Sequence, residues 1–241
     1  MSNIFKSSTF KRAIQQYLTD AMRRYKETEQ WSRADEDAIT QAFISAVTGN
    51  VVADGLCFGL NGFKVRGRGH SAAGGGEKEL GADGLGVVSV VTPDANVRAF
   101  FLFQAKKAEK ISTRLDRSKA QCQVMLKHTA ASQLMVLWGE GNVSFVGAAV
   151  ASAANSPNPS LNELPYQSFV WLVCDELLYG LMLAPLEQEL FRSDPDLFAQ
   201  IKTILVISIR ETNPLTLQDE IKEIIAEIGF DDIENILPLE D

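Results

Sequence analysis

Residues 77–107, EKELGADGLGVVSVVTPDANVRAFFLFQAKK, carry the reading that decides the fold. Two apolar runs, Leu85–Val91 and Ala99–Phe103, flank a turn-like segment, Thr92–Val97. Pro93, Asp94 and Asn96 favour tight turns, so the stretch is expected to form a β-hairpin. Its polar groups gather at the open end. Asp83 stands at the mouth of the first strand, and Gln104 and Lys106 close an otherwise apolar second strand. Residues two apart on a strand share a face, so Gln104 and Lys106 point the same way. A strand covered on both faces has no structural use for a lysine, because a buried ammonium must be paired or lose its proton. An acid facing a glutamine and a lysine on the neighbouring strand makes a small site for a metal ion and a water.

The flanking sequence frames this hairpin. Upstream, Phe5–Lys26 has helical character, and a second helix is expected after Ser32, whose hydroxyl caps it while Asp35 completes a capping-box-like pattern. Ile39, Phe43 and Val47 form its core face, and Glu36 falls on the same side as Ile39 and Phe43. That spacing lets the Glu36 carboxylate look inward. Equally, Asp35, Glu36 and Asp37 at a helix start complement the helix dipole and need no further role. A first strand is expected at Gly62–Arg68, followed by the glycine-rich GRGHSAAGGGEKELG. That loop lacks the G-x-x-x-x-G-K-[ST] of a nucleotide cradle, but its flanking Arg66, Arg68 and Lys78 suit approach to a nucleic-acid backbone. Glu77 and Glu79 are alternative acids for the site or plain surface charges. His70 is a candidate base, though a histidine in such a loop is more often solvated.

Downstream, Ile111–Ala130 is expected to be a helix with Leu115, Cys122, Met125, Leu126 and Thr129 near one face, and Gln121 in line with Arg114 and Arg117. Gln133–Trp138 and Val143–Val146 make a second hairpin around GEGN. The order is helix, three-stranded meander, helix, strand, which is an α/β arrangement.

The GAD of Gly81–Asp83, the hairpin and the QAK of Gln104–Lys106 resemble the PD-(D/E)XK nuclease superfamily, restriction-endonuclease-like, in its Gln-x-Lys variant. The resemblance runs from about Glu36 to Val146. It implies a restriction-endonuclease-like core in residues 1–150 and a metal-dependent endonuclease that hydrolyses phosphodiester bonds of DNA. Asp83 would be a direct ligand of Mg²⁺, with Mn²⁺ as a substitute. Gln104 and the Ala105 carbonyl would add neutral oxygen ligands, and Lys106 would orient the attacking water and help to deprotonate it. Glu36 would complete the metal site, and Gln121 would lie near the substrate phosphate. The tyrosine some of these nucleases carry on the helix after the lysine is absent, Met125 occupying that spacing. The resemblance also implies a role in prokaryotic anti-phage defence beside a sensor or ATPase subunit, since this chain has no ATPase motif. A catalytically inactive module that binds nucleic acid or a partner is the alternative, because an amide at Gln104 takes one negative charge from the cation site.

Net charge is −8, which by itself disfavours a phosphate ligand. The distribution of charge points the other way. Residues 1–59 carry 7 basic and 7 acidic groups, residues 60–130 carry 12 and 6, and residues 131–241 carry 4 and 18. Arg66, Arg68, Lys107, Lys110, Arg114 and Arg117 therefore concentrate around the site as a DNA path. Residues 151–241 are expected to be an acidic, mostly helical extension that packs on the core or serves as a partner or homo-oligomer surface. Helices are expected at Phe169–Ala184, Pro185–Arg192, Pro195–Lys202 and Leu217–Ile228, with one possible strand at Ile204–Ile209. Cys57, Cys122 and Cys174 show no pairing or ligand spacing, Met1–Lys11 lacks the apolar centre of a secretory signal, and Phe169–Ala184 is too short to span a membrane. A cytoplasmic setting is the expectation.

Overall fold

The computed structural model describes residues 8–27, 35–65, 80–93, 95–139, 141–177, 184–185, 200–211, 221–226 and 233–236. Helix α1 (Ser8–Glu27) turns Phe10, Ile14, Leu18, Ala21 and Tyr25 to the core at spacings of three and four. Helix α2 (Glu36–Val47) is capped by Asp35, whose carboxylate accepts from the Ala38 N–H at 2.8 Å. The cap is thus Asp35 itself; Ser32 lies outside the described residues.

The strands form one mixed α/β sheet. They are β1 (Gly49–Ala53), β2 (Leu56–Val65), β3 (Gly84–Thr92), β4 (Ala95–Ala108), β5 (Ser132–Trp138), β6 (Asn142–Gly147), β7 (Gln167–Ser168), β8 (Ala184–Pro185), β9 (Thr203–Arg210) and β10 (Ile233–Ile236). The order across the sheet is β1-β2-β9-β3-β4-β5-β6-β7, with β10 on β2 and β8 on β4. β3 and β4 pair antiparallel from Gly84↔Phe103 to Thr92↔Ala95, so the connection is shorter than Thr92–Val97 and the strands absorb Asn96 and Val97. Helix α3 (Ser118–His128) carries the chain from β4 to β5, which run parallel, as a crossover helix permits.

Alternation along β4 sorts the two layers. Phe101, Phe103 and Ala105 join the α1 and α2 side of the core, and Phe100 and Leu102 join the side covered by α3 and helix α4 (Ala148–Ala153). A strand covered on both sides reads as a continuous apolar run, as this one does.

Two expectations need correction. The three-stranded meander is interrupted: β9 sits between β2 and β3, antiparallel to the first and parallel to the second. The segment after residue 150 is therefore not simply a helical appendage, since it supplies a strand to the middle of the sheet. Its bonds with both neighbours bury Ile204, Val206, Ile207 and Ile209 completely. The Phe169–Ala184 helix is also cut short. Helix α5 (Phe169–Trp171) continues as a π-helical turn over Leu172–Leu177, and Ala184 belongs to β8. Of the other expected helices, residues 221–226 are helical, and 186–199 lie outside the described residues. No helix among the described residues is long and apolar enough to cross a membrane.

Candidate active site

The β3–β4 ladder ends where Asp83 N–H donates to the Phe103 carbonyl at 3.0 Å, but β4 runs on to Ala108. Beyond that point Ala105 and Lys107 still aim their N–H groups at the vacated edge, and buried backbone donors require partners. Two carboxylates supply them. Asp83 Oδ2 accepts from Ala105 N at 3.1 Å, and Glu36 Oε2 accepts from Lys107 N at 3.0 Å. At about 3.3 Å of rise per residue these donors stand roughly 6–7 Å apart along the strand. The overrun of β4 thus fixes two acids from distant parts of the chain beside each other.

Lys106 lies between the two capped amides and is half-buried. Its charge acts on both Glu36 and Asp83 and reaches Cys122 on α3. Gln104, only 2% exposed, donates its amide to Asp83 Oδ2 and, at 3.0 Å, to the Ala105 carbonyl. Asp83 and Glu36 therefore stand side by side on the overrunning edge of β4, with Gln104 on Asp83 and the Lys106 charge felt by both carboxylates. Burial raises the Asp83 carboxyl above the ordinary range, against the pull of Lys202, the Ala105 N–H and Lys106. Glu36 is raised by burial too, against Lys106 and the Lys107 N–H.

Gly81, in the GAD segment, takes a left-handed φ of +73°, and a Cβ there would lie 2.6 Å from the Gln121 carbonyl oxygen. Only glycine lets α3 press so closely on the segment that delivers Asp83. The Gln121 side-chain oxygen is buried with no hydrogen-bond partner among the described residues.

Sequence reasoning missed Lys202. Its backbone N–H donates to the Asp83 carbonyl at 2.8 Å, and its own carbonyl accepts from Val65 N at 2.9 Å. Its ammonium lies 3.0 Å from both Asp37 carboxylate oxygens and 4.0 Å from Asp83 Oδ1. Burial lowers the Lys202 pKa, but the Asp37 hydrogen bond and the charges of Asp83, Asp37 and Glu36 outweigh it, and the net shift is upward. The signal was present in the sequence: like Lys106, this lysine stands at the end of a mostly apolar strand. On this side a cleft of about 420 Å³ opens, lined among others by Thr40, Gln41, Lys64, Lys202 and Thr203.

The expected basic helix face does not form. Residues 111–117 make an irregular approach to α3, held by Leu115 N–H on the Pro159 carbonyl at 3.1 Å, and Arg117 ends it with a φ of +54°. Lys110, Arg114 and Arg117 therefore sit on a loop, all exposed. Glu163 from the acidic part grips Arg114 at 2.6 and 2.8 Å, and Arg117 N–H donates to Asn158 Oδ1 at 2.9 Å. Lys107 is half-buried beside Glu36. Arg66, Arg68, His70, Glu77 and Glu79 lie outside the described residues.

Asp83 Oδ2 and the Ala105 carbonyl converge on the Gln104 Nε2 donor, which fills the place between these two oxygens. No group of three His, Cys, Asp or Glu side chains able to hold a metal occurs among the described residues. Comparison of the chain with protein-family models, with curated proteins and with solved structures found no match.

Proposed function

We propose that the chain is a metal-dependent endonuclease that hydrolyses phosphodiester bonds of DNA. The observation that supports this most is the pair of carboxylates, Asp83 and Glu36, held on neighbouring β4 amides where β4 outruns β3, with Gln104 on Asp83 and Lys106 between the two amides. Asp83 would hold Mg²⁺ or Mn²⁺, with Glu36 and Gln104 completing the protein's share. When bound, the ion supplies stabilisation of charge on the phosphoryl group and a lowered pKa for coordinated water. Lys106 would donate to the attacking water, hold it in line with the phosphorus, and stabilise the hydroxide as its proton leaves. The Ala105 and Lys107 amides keep both carboxylates aimed, so the site needs little reorganisation. A prokaryotic defence setting with a sensor or ATPase partner belongs to the same reading.

One observation favours a second reading, a nuclease-fold module that binds nucleic acid without cleaving it. The Gln104 amide already satisfies Asp83 by donation, as a structural polar pair does. Nicking of supercoiled plasmid with Mg²⁺ or Mn²⁺ separates the two. The expected result is divalent-dependent nicking that Lys106→Met abolishes while DNA binding persists. Salt-sensitive binding with no cleavage under any divalent ion would select the second reading.

A further inference from the structure

We propose that Lys202 is a built-in cation of this site, its ammonium filling the position between Asp37 and Asp83 that a second metal ion would otherwise take. The inference deepens the nuclease reading and rests on it for its catalytic meaning. Three observations carry it.

The Lys202 backbone is fixed relative to Asp83 from both sides, by its N–H on the Asp83 carbonyl at 2.8 Å and by Val65 N–H on its own carbonyl at 2.9 Å. β9 could not be removed from between β2 and β3 without losing both bonds. The side chain then spans α2 and β3, with Nζ 3.0 Å from each Asp37 oxygen and 4.0 Å from Asp83 Oδ1. Finally, the Asp83 carboxylate is divided between two environments. Oδ2 faces the Ala105 amide and Gln104, while Oδ1 faces Lys202.

A carboxylate held in this way has one oxygen fixed by N–H donors and the other turned to a fixed positive charge. Two-metal hydrolases set their ions about 3.5–4 Å apart around shared oxygens, where the pair clamps the attacking and leaving groups. Here the ammonium stands between the Asp37 carboxylate and Asp83 Oδ1. It costs no ion binding, and a half-exposed lysine (50% of its side chain) beside an open cleft can also donate to a phosphate oxygen.

The test counts Mn²⁺ per chain by equilibrium dialysis with electron paramagnetic resonance, on the full chain without DNA, so no catalytic turnover enters. Lys202→Met should bind one more Mn²⁺ than wild type, because Asp37 and Asp83 lose their cation. Lys202→Arg should keep the wild-type count, and adding Asp37→Asn to Lys202→Met should restore it. Thermal melts confirm that each variant folds, and Lys202→Gln serves as a second neutral variant. Equal counts for wild type and both neutral variants, or a gain in Lys202→Arg, would overturn the proposal. Wild type binding no Mn²⁺ would defeat the nuclease reading alone, since the gain on removing the ammonium would still be read against that zero.

Discussion

Gly84→Ala tests how the site is held. Gly84 lies next to Asp83 and directly opposite Phe103 in the β3–β4 ladder. A Cβ built there would fall 1.9 Å from Phe103 Cζ and 2.3 and 2.4 Å from the two Cε atoms, on the tip of the ring. Ordinary contact begins near 3.4 Å, so ring or strand must give by about 1.5 Å. Phe103 is 2% exposed and packs beside Phe101 with ring centroids 6.3 Å apart, so it has nowhere to retreat. Overpacking of this kind costs about 1–3 kcal/mol, and the lack of free space puts this case at the upper end. For a chain of this size about 2–4 °C of Tm accompanies each kcal/mol, giving a fall of roughly 5–10 °C by calorimetry. Any strand shift also moves Asp83 relative to Gln104, so nicking should fall further than stability. Shortening the ring in Gly84→Ala/Phe103→Leu should reveal a favourable coupling of about 1 kcal/mol or more. A Gly84→Ala chain melting within about 1 °C of wild type would refute the packing argument.

Other outcomes follow from the same geometry. Arg117→Glu should flatten the log–log salt dependence of duplex binding by about 0.9, the share of a single neutralised phosphate. Arg114→Glu should flatten it by less than one phosphate's full share, because Glu163 already holds that guanidinium; a full share would argue against this pairing in solution. Burial raises the Asp83 and Glu36 carboxyls, so the folded chain holds those protons more tightly than the unfolded one. Their contribution should therefore stabilise progressively as pH falls through the folded values toward the ordinary carboxylate range near 4. Urea midpoints of Asp83→Asn/Glu36→Gln against wild type should show that gain missing, and parallel profiles would contradict it. Burial pushes the Cys122 and Cys174 thiols up to about 12, and Cys57 is raised and buried as well. Native protein should therefore react with a thiol reagent only at its unfolding rate, with all three thiols appearing in denaturant; a fast native phase would contradict this.

The β3–β4 hairpin was legible in the sequence because its determinants are local: two apolar runs and a tight turn. Strand periodicity likewise put Gln104 and Lys106 on one face, and helical spacing turned Glu36 inward. The position of β9 was not legible. Thr203–Arg210 is buried on both faces, so it reads as a largely apolar run with no regular alternation to say which strands it joins. Its parallel partner β3 lies more than a hundred residues earlier, and long-range pairing leaves no periodic trace in either segment. Only the closed sheet decides that β9 enters beside Asp83, and with it Lys202. The basic stripe misled for the opposite reason. Arg114, Arg117 and Gln121 have helical spacing, but the Pro159 carbonyl and the Asn158 side chain hold the backbone in a loop until Ser118. The sequence specified which chemical groups are present and which strand ends they occupy. Tertiary structure decided which of them meet, because the N–H groups left open by β4 had to be answered by whichever carboxylates the packed helix and the neighbouring strand brought within reach.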